Sequence, residues 1–238
     1  MRHPLALAGA ILASSALLSS AAVISVNFRE DNGNPNQTIA PTTMAGGGAG
    51  VSVANWNNVV GGSGSASNLV DNNGNATTAS IVWSSGGMWG DGTANTDADA
   101  GIGNAQLIRG YLDDNQGDPD PIVIRLADIP FATYDIVVYF STDTGGDNYG
   151  TITATTADGV FSGSTSGTKE LWGTNPNLDS TNSLRISGLS GDVTIDAPVR
   201  DGDIRHSVAG VQVIIPEPGA AALLALAGVG LALRRHRA

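Results

Sequence analysis

The chain has 238 residues, a net charge of −11 at pH 7 and no cysteine. The lack of cysteine excludes disulfides, thiol nucleophiles and Cys-ligated metal sites. The excess of acidic side chains disfavours binding to nucleic acid and to anionic membrane surfaces.

The first predicted element is a secretory signal over residues 1–22. Arg2 provides a short basic region, Leu5 to Leu18 form an apolar run, and Ser20 to Ala22 are the small residues that a signal peptidase requires. This layout predicts a cut before Val23. A membrane anchor or a buried helix is the alternative. It is disfavoured because the apolar run is short and a β-type sequence follows it.

Residues 23–215 form the predicted mature domain, which is long enough to bury a core of its own. The two ends of the chain hold one of the 22 acidic residues and four of the 11 basic ones, so this domain carries 21 Asp and Glu against 7 Lys and Arg. Most of the Asp residues stand beside Gly and Asn, which is typical of turns. The charge fits a soluble extracellular surface or cation binding, with solvated loops as the plainer explanation.

Short strands separated by turn residues make up this domain. The connections are rich in Gly, Asn, Asp and Pro, as in "DNGNPN" and "GGSGSASN". Residues 84–104 are expected to form a long loop, and residues 105–112 a strand or a helical turn. The predicted strands are Val23–Phe28, Val51–Ala54, Thr77–Trp83, Pro121–Leu126, Thr133–Ser141, and the segments "YGTITATTADG", "NSLRISGL", "DVTIDAP" and "HSVAGVQVII". Their regular spacing predicts an all-β fold, a single antiparallel β-sandwich flanked by a signal helix and a C-terminal apolar helix.

One of these strands, "TYDIVVYFS" from Thr133 to Ser141, is apolar on both of its faces. Ile136 and Val138 lie on one face, while Val137 and Tyr139 lie on the other. A strand with this pattern is expected to lie inside a sheet that is covered on both sides.

Two strand segments resemble the galactose-binding-like jelly rolls. "LADIPFATYDIVVYFS" is similar to their strand–turn–strand unit, and "AGVQVI" is similar to their closing strand, which usually pairs with the first strand. The resemblance implies a jelly-roll sandwich. It implies no activity, because one fold supports many functions.

The C-terminal segment, residues 216–238, ends in an apolar run and a basic cluster. Gly219 to Leu233 are 15 uncharged residues, fewer than the roughly 20 that span a membrane comfortably. Arg234, Arg235 and Arg237 follow and favour a cytoplasmic C-terminus. A buried helix is the alternative, but an Ala/Leu helix without a polar face fits a globular surface badly.

Pro216, Glu217 and Pro218 precede this run, and the complete segment resembles the PEP-CTERM sorting signal. The match comprises the motif, an apolar helix from Ala220 to Leu233 and the basic end, in that order. The resemblance implies recognition by an exosortase, a membrane peptidase of Gram-negative bacteria that make extracellular polysaccharide. The expected route is export, anchoring in the inner membrane, and then release to the cell surface or extracellular matrix. Retention of the tail as an anchor stays an alternative.

The inventory of reactive residues argues against catalysis. His206 is the only histidine between the two ends, and it is expected on the surface before the last strand. "GSTSG" places Thr165 where a nucleophile elbow requires serine. A hydrolase with two facing carboxylates is the remaining catalytic alternative, with Glu30 and Glu170 as the only glutamates of the domain.

Calcium is a candidate cofactor because Asp, Asn and Gly loops supply the oxygen ligands that it requires. Three stretches qualify: Asp71 to Asn75, Asp91 to Gly101 and Asp113 to Asp120. None fits the EF-hand pattern, since Ala76 and Val82 replace the glycine and glutamate needed after Asp71. Solvated turns are the alternative. The candidate ligands are Asp97, Asp99, Asp113 and Asp118.

The leading molecular hypothesis is a non-catalytic surface or matrix protein, with glycan binding as its candidate activity. Sugar sites combine an aromatic platform with polar groups, and Trp89 and Trp172 stand in Gly- and Asn-rich stretches that are predicted to be loops. The candidate residues are Trp89, Asp91, Asn95, Trp172 and Asn175. Packing of both tryptophans against the sandwich is the alternative, and Trp56 and Trp83 are expected in the core. A purely structural acidic matrix protein and a polysaccharide hydrolase complete the hypotheses.

Overall fold

The computed structural model describes residues 22–30, 37–90, 102–114, 120–141, 151–165, 178, 181–198 and 206–215. Within these ranges the chain forms strands and one short helix. In chain order they are β1 (Val23–Arg29), β2 (Asn57–Val60), β3 (Ser63–Ala66), β4 (Ser80–Ser84), β5 (Gly87–Gly90), α1 (Gly103–Ile108), β6 (Gly110–Asp113), β7 (Ile122–Ala127), β8 (Tyr134–Tyr139), β9 (Thr151–Thr156), β10 (Gly159–Ser164), β11 (Ser183–Leu189), β12 (Val193–Ala197), β13 (Ser207–Val208) and β14 (Gly210–Ile214).

The strands form three sheets. A five-stranded sheet has the order β11-β8-β14-β1-β2, a six-stranded sheet has the order β10-β9-β12-β7-β4-β3, and β13-β6-β5 form a small third sheet. The described pairs are antiparallel except β1 with β2, which are parallel. The last strand pairs with the first, as expected, with Val23 opposite Ile214. The all-β, sandwich-like architecture is therefore confirmed.

The two larger sheets share one core. Alternate residues of β8, such as Ile136 and Val138, cluster with alternate residues of β7, such as Ile124 and Leu126. Trp83 joins this cluster at a tilted contact with Phe28, their ring centroids 6.0 Å apart. Each such buried side chain contributes about 1.5–3 kcal/mol through the hydrophobic effect, which explains why period-two alternation defines these strands.

The outer face of the five-stranded sheet is also buried. Val137 and Tyr139 of β8 cluster there with Trp56, Ile39 and Leu107. Leu107 belongs to α1, and Ile39 and Trp56 belong to residues 37–56, which we call the cover segment. The prediction that β8 is buried on both faces is confirmed, since all six of its residues are buried.

Several local predictions were wrong. Val51 to Ala54 form no strand; they belong to the cover segment, where only Val53 bridges to Ala45. The predicted long loop at 84–104 contains β5 and the start of α1, and "GGSGSASN" contains β3. Pairing with distant strands decided these segments, because neighbours in the sheet override weak local propensity. The helices predicted over 1–22 and 216–238 lie outside the described residues. No helix in the described ranges is long and apolar enough to cross a membrane.

Candidate functional site

Trp89 lies in strand β5, so its predicted position on an exposed loop was wrong. β5 pairs with β6, which places Trp89 opposite Tyr111, and the two rings stack with centroids 5.3 Å apart and planes inclined by 23°. Trp89 is half-buried and packs against the cluster beneath the cover segment. Part of Trp89 therefore stays exposed to solvent, and its role in glycan binding stays a prediction.

The other residues predicted to bind a glycan or calcium lie mostly outside the described ranges. These are Asp91, Asn95, Asp97, Asp99, Asp118, Trp172 and Asn175, and the sorting motif Pro216–Pro218 with its arginines lies there too. Asp113 is described and is buried at the end of β6, opposite Gly87 and Ser207. Across the described parts of the chain, no group of three or more His, Cys, Asp or Glu side chains is arranged to hold a metal ion.

The candidate calcium loop that begins at Asp71 is a hydrogen-bonded turn. The Asp71 Oδ1 atom accepts the backbone N–H groups of Asn73 and Asn75, both at 2.9 Å, and Gly74 adopts a positive φ of 81°. Partial burial raises the pKa of Asp71, but the hydrogen bonds from Asn75 and Asn73 outweigh it and hold the pKa below its ordinary value. The carboxylate therefore already has a structural role, as a solvated turn requires.

Asn57 and Asn58 are structural residues that the sequence did not reveal. Asn57 accepts the backbone N–H of Val70 through Oδ1 and donates to the carbonyl of Ser25 through Nδ2, both at 2.9 Å. Asn58 makes two hydrogen bonds of the same kind. Its Oδ1 accepts the Ile39 N–H and its Nδ2 donates to the Ile39 carbonyl, at 2.9 Å each. An amide side chain replaces a neighbouring strand in this way, and only the Asn-Asn pair at the start of β2 hinted at it.

The glycine tract of the cover segment is fastened to the five-stranded sheet by buried polar side chains. The Gln212 amide donates to the Val51 carbonyl at 2.9 Å and accepts the Val51 N–H at 3.1 Å. The Tyr139 hydroxyl donates to Gln212 Oε1 at 2.8 Å and accepts the Gly47 N–H at 3.3 Å. Burial raises the pKa of Tyr139, although the Gly47 hydrogen bond and the Arg185 charge oppose this. A tract that resembles a flexible linker is therefore a fixed part of the fold.

Close approach explains the glycines in this tract. A Cβ on Gly50 would overlap the Tyr139 hydroxyl and Gln212 Oε1, and a Cβ on Gly46 would overlap the Val51 carbonyl. Gly46 also has a positive φ of 96°, a conformation that glycine adopts without steric cost.

His206 is buried, so its predicted surface position was wrong. Its backbone N–H donates to Asp114 Oδ2 at 3.0 Å, and its Nδ1 lies 3.6 Å from the same oxygen. The pair joins the end of β6 to the start of β13. Within the described residues, the buried His206 Nδ1 atom has no hydrogen-bond partner.

The outer face of the six-stranded sheet is open to solvent. Alternate side chains of each strand point outward, and Val82 and Val160 are 51% and 68% exposed. In register across the sheet, one row consists of Ser65, Val82, Arg125, Thr194, Thr155 and Val160, and the next of Ser63, Ser84, Val123, Asp196, Thr153 and Ser162. The face is thus rich in hydroxyl groups, and these two rows contain one basic and one acidic side chain, Arg125 and Asp196.

A shallow depression lies on this face between β4 and β7. Its volume is about 80 Å³, and Val82, Trp83, Ser84, Val123 and Arg125 line it. The Arg125 guanidinium makes no hydrogen bond or ion pair with any residue that the structure describes. Burial raises the pKa of the nearby Asp196, and the charge of Arg125 opposes that rise. The depression therefore combines apolar side chains with two groups that can donate to a ligand, the Ser84 hydroxyl and the Arg125 guanidinium.

Comparisons with known proteins add no relative. No family model matches the chain, and neither the curated proteins nor the solved structures contain a match.

Proposed function

We propose that this chain is an exported, non-catalytic protein of the bacterial cell surface or extracellular matrix, sorted through its PEP-CTERM tail by an exosortase. The supporting observation is the agreement between the folded domain and the two sequence signals. Strand β1 begins at Val23, where the signal is predicted to be cut, and β14 ends at Ile214, two residues before the motif begins at Pro216. Both signals can then be removed without cutting into the domain.

The role proposed for the mature domain is contact with other matrix components across the outer face of the six-stranded sheet. That face is rich in Ser and Thr hydroxyls, and the depression on it holds about 80 Å³, less than the roughly 300–1,000 Å³ of a typical small-molecule pocket. We propose in addition that the sandwich is a jelly roll, and the pairing of the last strand with the first supports this.

Glycan binding is the second candidate function. The depression supports it, because the apolar side chain of Val82 and the Arg125 guanidinium offer the two kinds of contact that a sugar ring uses. The half-buried ring of Trp89, with Asp91 and Asn95 following it in the chain, is the alternative sugar platform. Calcium bound by the Asp-rich loops would make either site dependent on divalent ions.

The sorting proposal is tested by following the tail in a host that has an exosortase. The wild-type chain should lose the mass of its tail and leave the inner membrane. The double variant Pro216→Ala, Pro218→Ala keeps the apolar run and the arginines, so it should stay membrane-bound and uncut. Deletion of residues 216–238 should release a folded domain, checked by circular dichroism. Identical localisation of all three chains would contradict the proposal.

Glycan binding is tested on an array with the domain 23–215, first in calcium and then in EDTA. If the depression binds the sugar, Arg125→Ala should weaken retention by about tenfold, equivalent to one lost hydrogen bond to a charged group. Arg125→Lys is the matched control that keeps the charge. Loss of binding in Trp89→Ala alone would move the site to β5, and loss in EDTA would implicate calcium. Absence of binding in both buffers would leave the structural matrix role.

A further inference from the structure

The two ends of the folded domain lie side by side in the five-stranded sheet. Val23 is opposite Ile214 in the β1–β14 pair, and the Ile215 N–H donates to the carbonyl of Ala22 at 3.2 Å. Pro216, the first residue of the sorting motif, follows directly in the sequence. The last described hydrogen bond of the ladder before the sorting motif is thus made to Ala22, the residue before the predicted cut.

The other edge of Val23 is held by a turn of the chain. The Val23 N–H donates to Asn72 Oδ1 at 3.0 Å, and the Asn72 N–H donates to the Val23 carbonyl at 2.8 Å. The next residue, Ile24, bridges to Asp71. Both backbone polar groups of Val23 are therefore bound by the turn from Val70 to Ala76, which we call the N-terminal clamp.

The clamp is rigid because its own hydrogen bonds fix it. The Asp71 carboxylate binds two backbone N–H groups within the turn, and the Asn55 amide donates to the Asn72 carbonyl at 2.9 Å. Val70 and Ala76 close the turn with a β-bridge. The Asn72 Oδ1 atom is therefore held at the Val23 nitrogen independently of the residues that precede Val23.

We propose that the N-terminal clamp is the binding site for the α-ammonium group that signal removal creates on Val23, and that the same cut releases Ile215 from the sheet. The inference rests on the proposed function, since it requires a cut before Val23. Water adds across the Ala22–Val23 peptide bond, the carboxylate leaves with Ala22, and the Val23 nitrogen becomes an ammonium group. That group keeps Asn72 Oδ1 as its acceptor, and a charged donor strengthens the hydrogen bond.

The consequence for the tail follows from the same geometry. When Ala22 leaves, the Ile215 N–H loses its carbonyl acceptor, while Val213 keeps its place opposite Ile24. The hydrogen-bonded pairing of β1 with β14 then stops before Ile215, and the backbone just before Pro216 becomes more accessible. Signal removal thereby prepares the sorting motif for its peptidase.

The test compares two purified chains with the tail kept, in detergent: one begins at Val23 and the other at Ser20. Asn72→Asp puts a carboxylate at the clamp, where it attracts the Val23 ammonium group. The melting temperature of the Val23 chain should therefore rise by about 2 °C relative to the change that the same substitution causes in the Ser20 chain. Asn68→Asp adds the same charge at an exposed position outside the clamp and should act equally on both chains. Equal effects of Asn72→Asp on the two chains would overturn the binding site.

A second measurement covers the release of Ile215. Amide hydrogen exchange at Ile215 should be about tenfold faster in the Val23 chain than in the Ser20 chain, the effect of one lost hydrogen bond, while Val213 exchanges equally in both. Equal exchange at Ile215 would refute the release. Both chains have defined starts, so these results do not depend on export. An N-terminus other than Val23 on the secreted protein would instead count against the proposed cut.

Discussion

The two large sheets differ in what lies on their outer faces. The five-stranded sheet is covered by the cover segment and α1, and every residue of β8 is buried. The six-stranded sheet is open on its outer side, and β7 alternates between buried residues and more exposed ones. Both sheets use the same inner core, so the difference shows that apolar residues on both faces of a strand, as in β8, indicate a second covering layer.

Covering a sheet with irregular chain creates a problem of hydrogen bonding, because buried backbone groups need partners. The molecule solves it with polar side chains on the covered face, Gln212 and Tyr139, and with the amides of Asn57 and Asn58 at the edge. The open face needs no such partners, since water satisfies its Ser and Thr hydroxyls. Binding to other molecules is therefore expected on the open face and structural constraint on the covered one.

The largest effect is expected where the cover segment approaches the sheet most closely. Gly50→Ala should destabilise the fold by about 3 kcal/mol, because the new methyl group overlaps the Tyr139 hydroxyl and forces the segment off the sheet. Urea unfolding measures the loss. Ser52→Ala, at an exposed position two residues away, is the control and should change stability by less than about 0.5 kcal/mol. A small effect of Gly50→Ala would mean that the segment is loosely attached.

A smaller loss is expected when the Tyr139 hydroxyl is removed and the packing of its ring is kept. Tyr139→Phe should cost about 2 kcal/mol, because the Gly47 N–H loses its acceptor, whereas Gln212 Oε1 retains the Val51 N–H as a donor. The cover segment should then exchange its amides faster than β7 does, as measured by hydrogen exchange. A uniform change across the molecule would indicate that the segment opens only when the whole domain unfolds.

The smallest effect is expected on the open face. Thr155→Val replaces an exposed hydroxyl with a methyl group on β9 and should change the free energy of unfolding by less than about 0.5 kcal/mol. The same substitution should reduce contact with matrix material if this face carries the proposed role. Thermal unfolding and a pull-down on isolated matrix measure the two quantities, and a large loss of stability would show that the face is covered after all.

The predictions from sequence succeeded where neighbouring residues carry the signal. The strand from Thr133 to Ser141 could be placed in the interior of a covered sheet because its apolar pattern is local. Trp89 and His206 could not be placed, because their burial depends on β6, a strand whose pairing no local pattern specifies. Among the candidate site residues, only Trp89 and Asp113 lie within the described structure, and both are held in strands of the small third sheet.

The sequence by itself determined the all-β class and the turns rich in Gly and Asn, because these depend on alternation and on residue types that act over a few positions. The pairing of the first and last strands was expected from the resemblance to jelly rolls, and the signals at both ends stay predictions. Only the tertiary structure decided that the glycine tract covers the five-stranded sheet and that the Asn57 and Asn58 amides hydrogen-bond to backbone groups. It alone also decided that the turn at Asn72 binds Val23. Such contacts join residues far apart in the chain. Val51 and Gln212, for example, are separated by 161 positions, so no local sequence pattern specifies their contact.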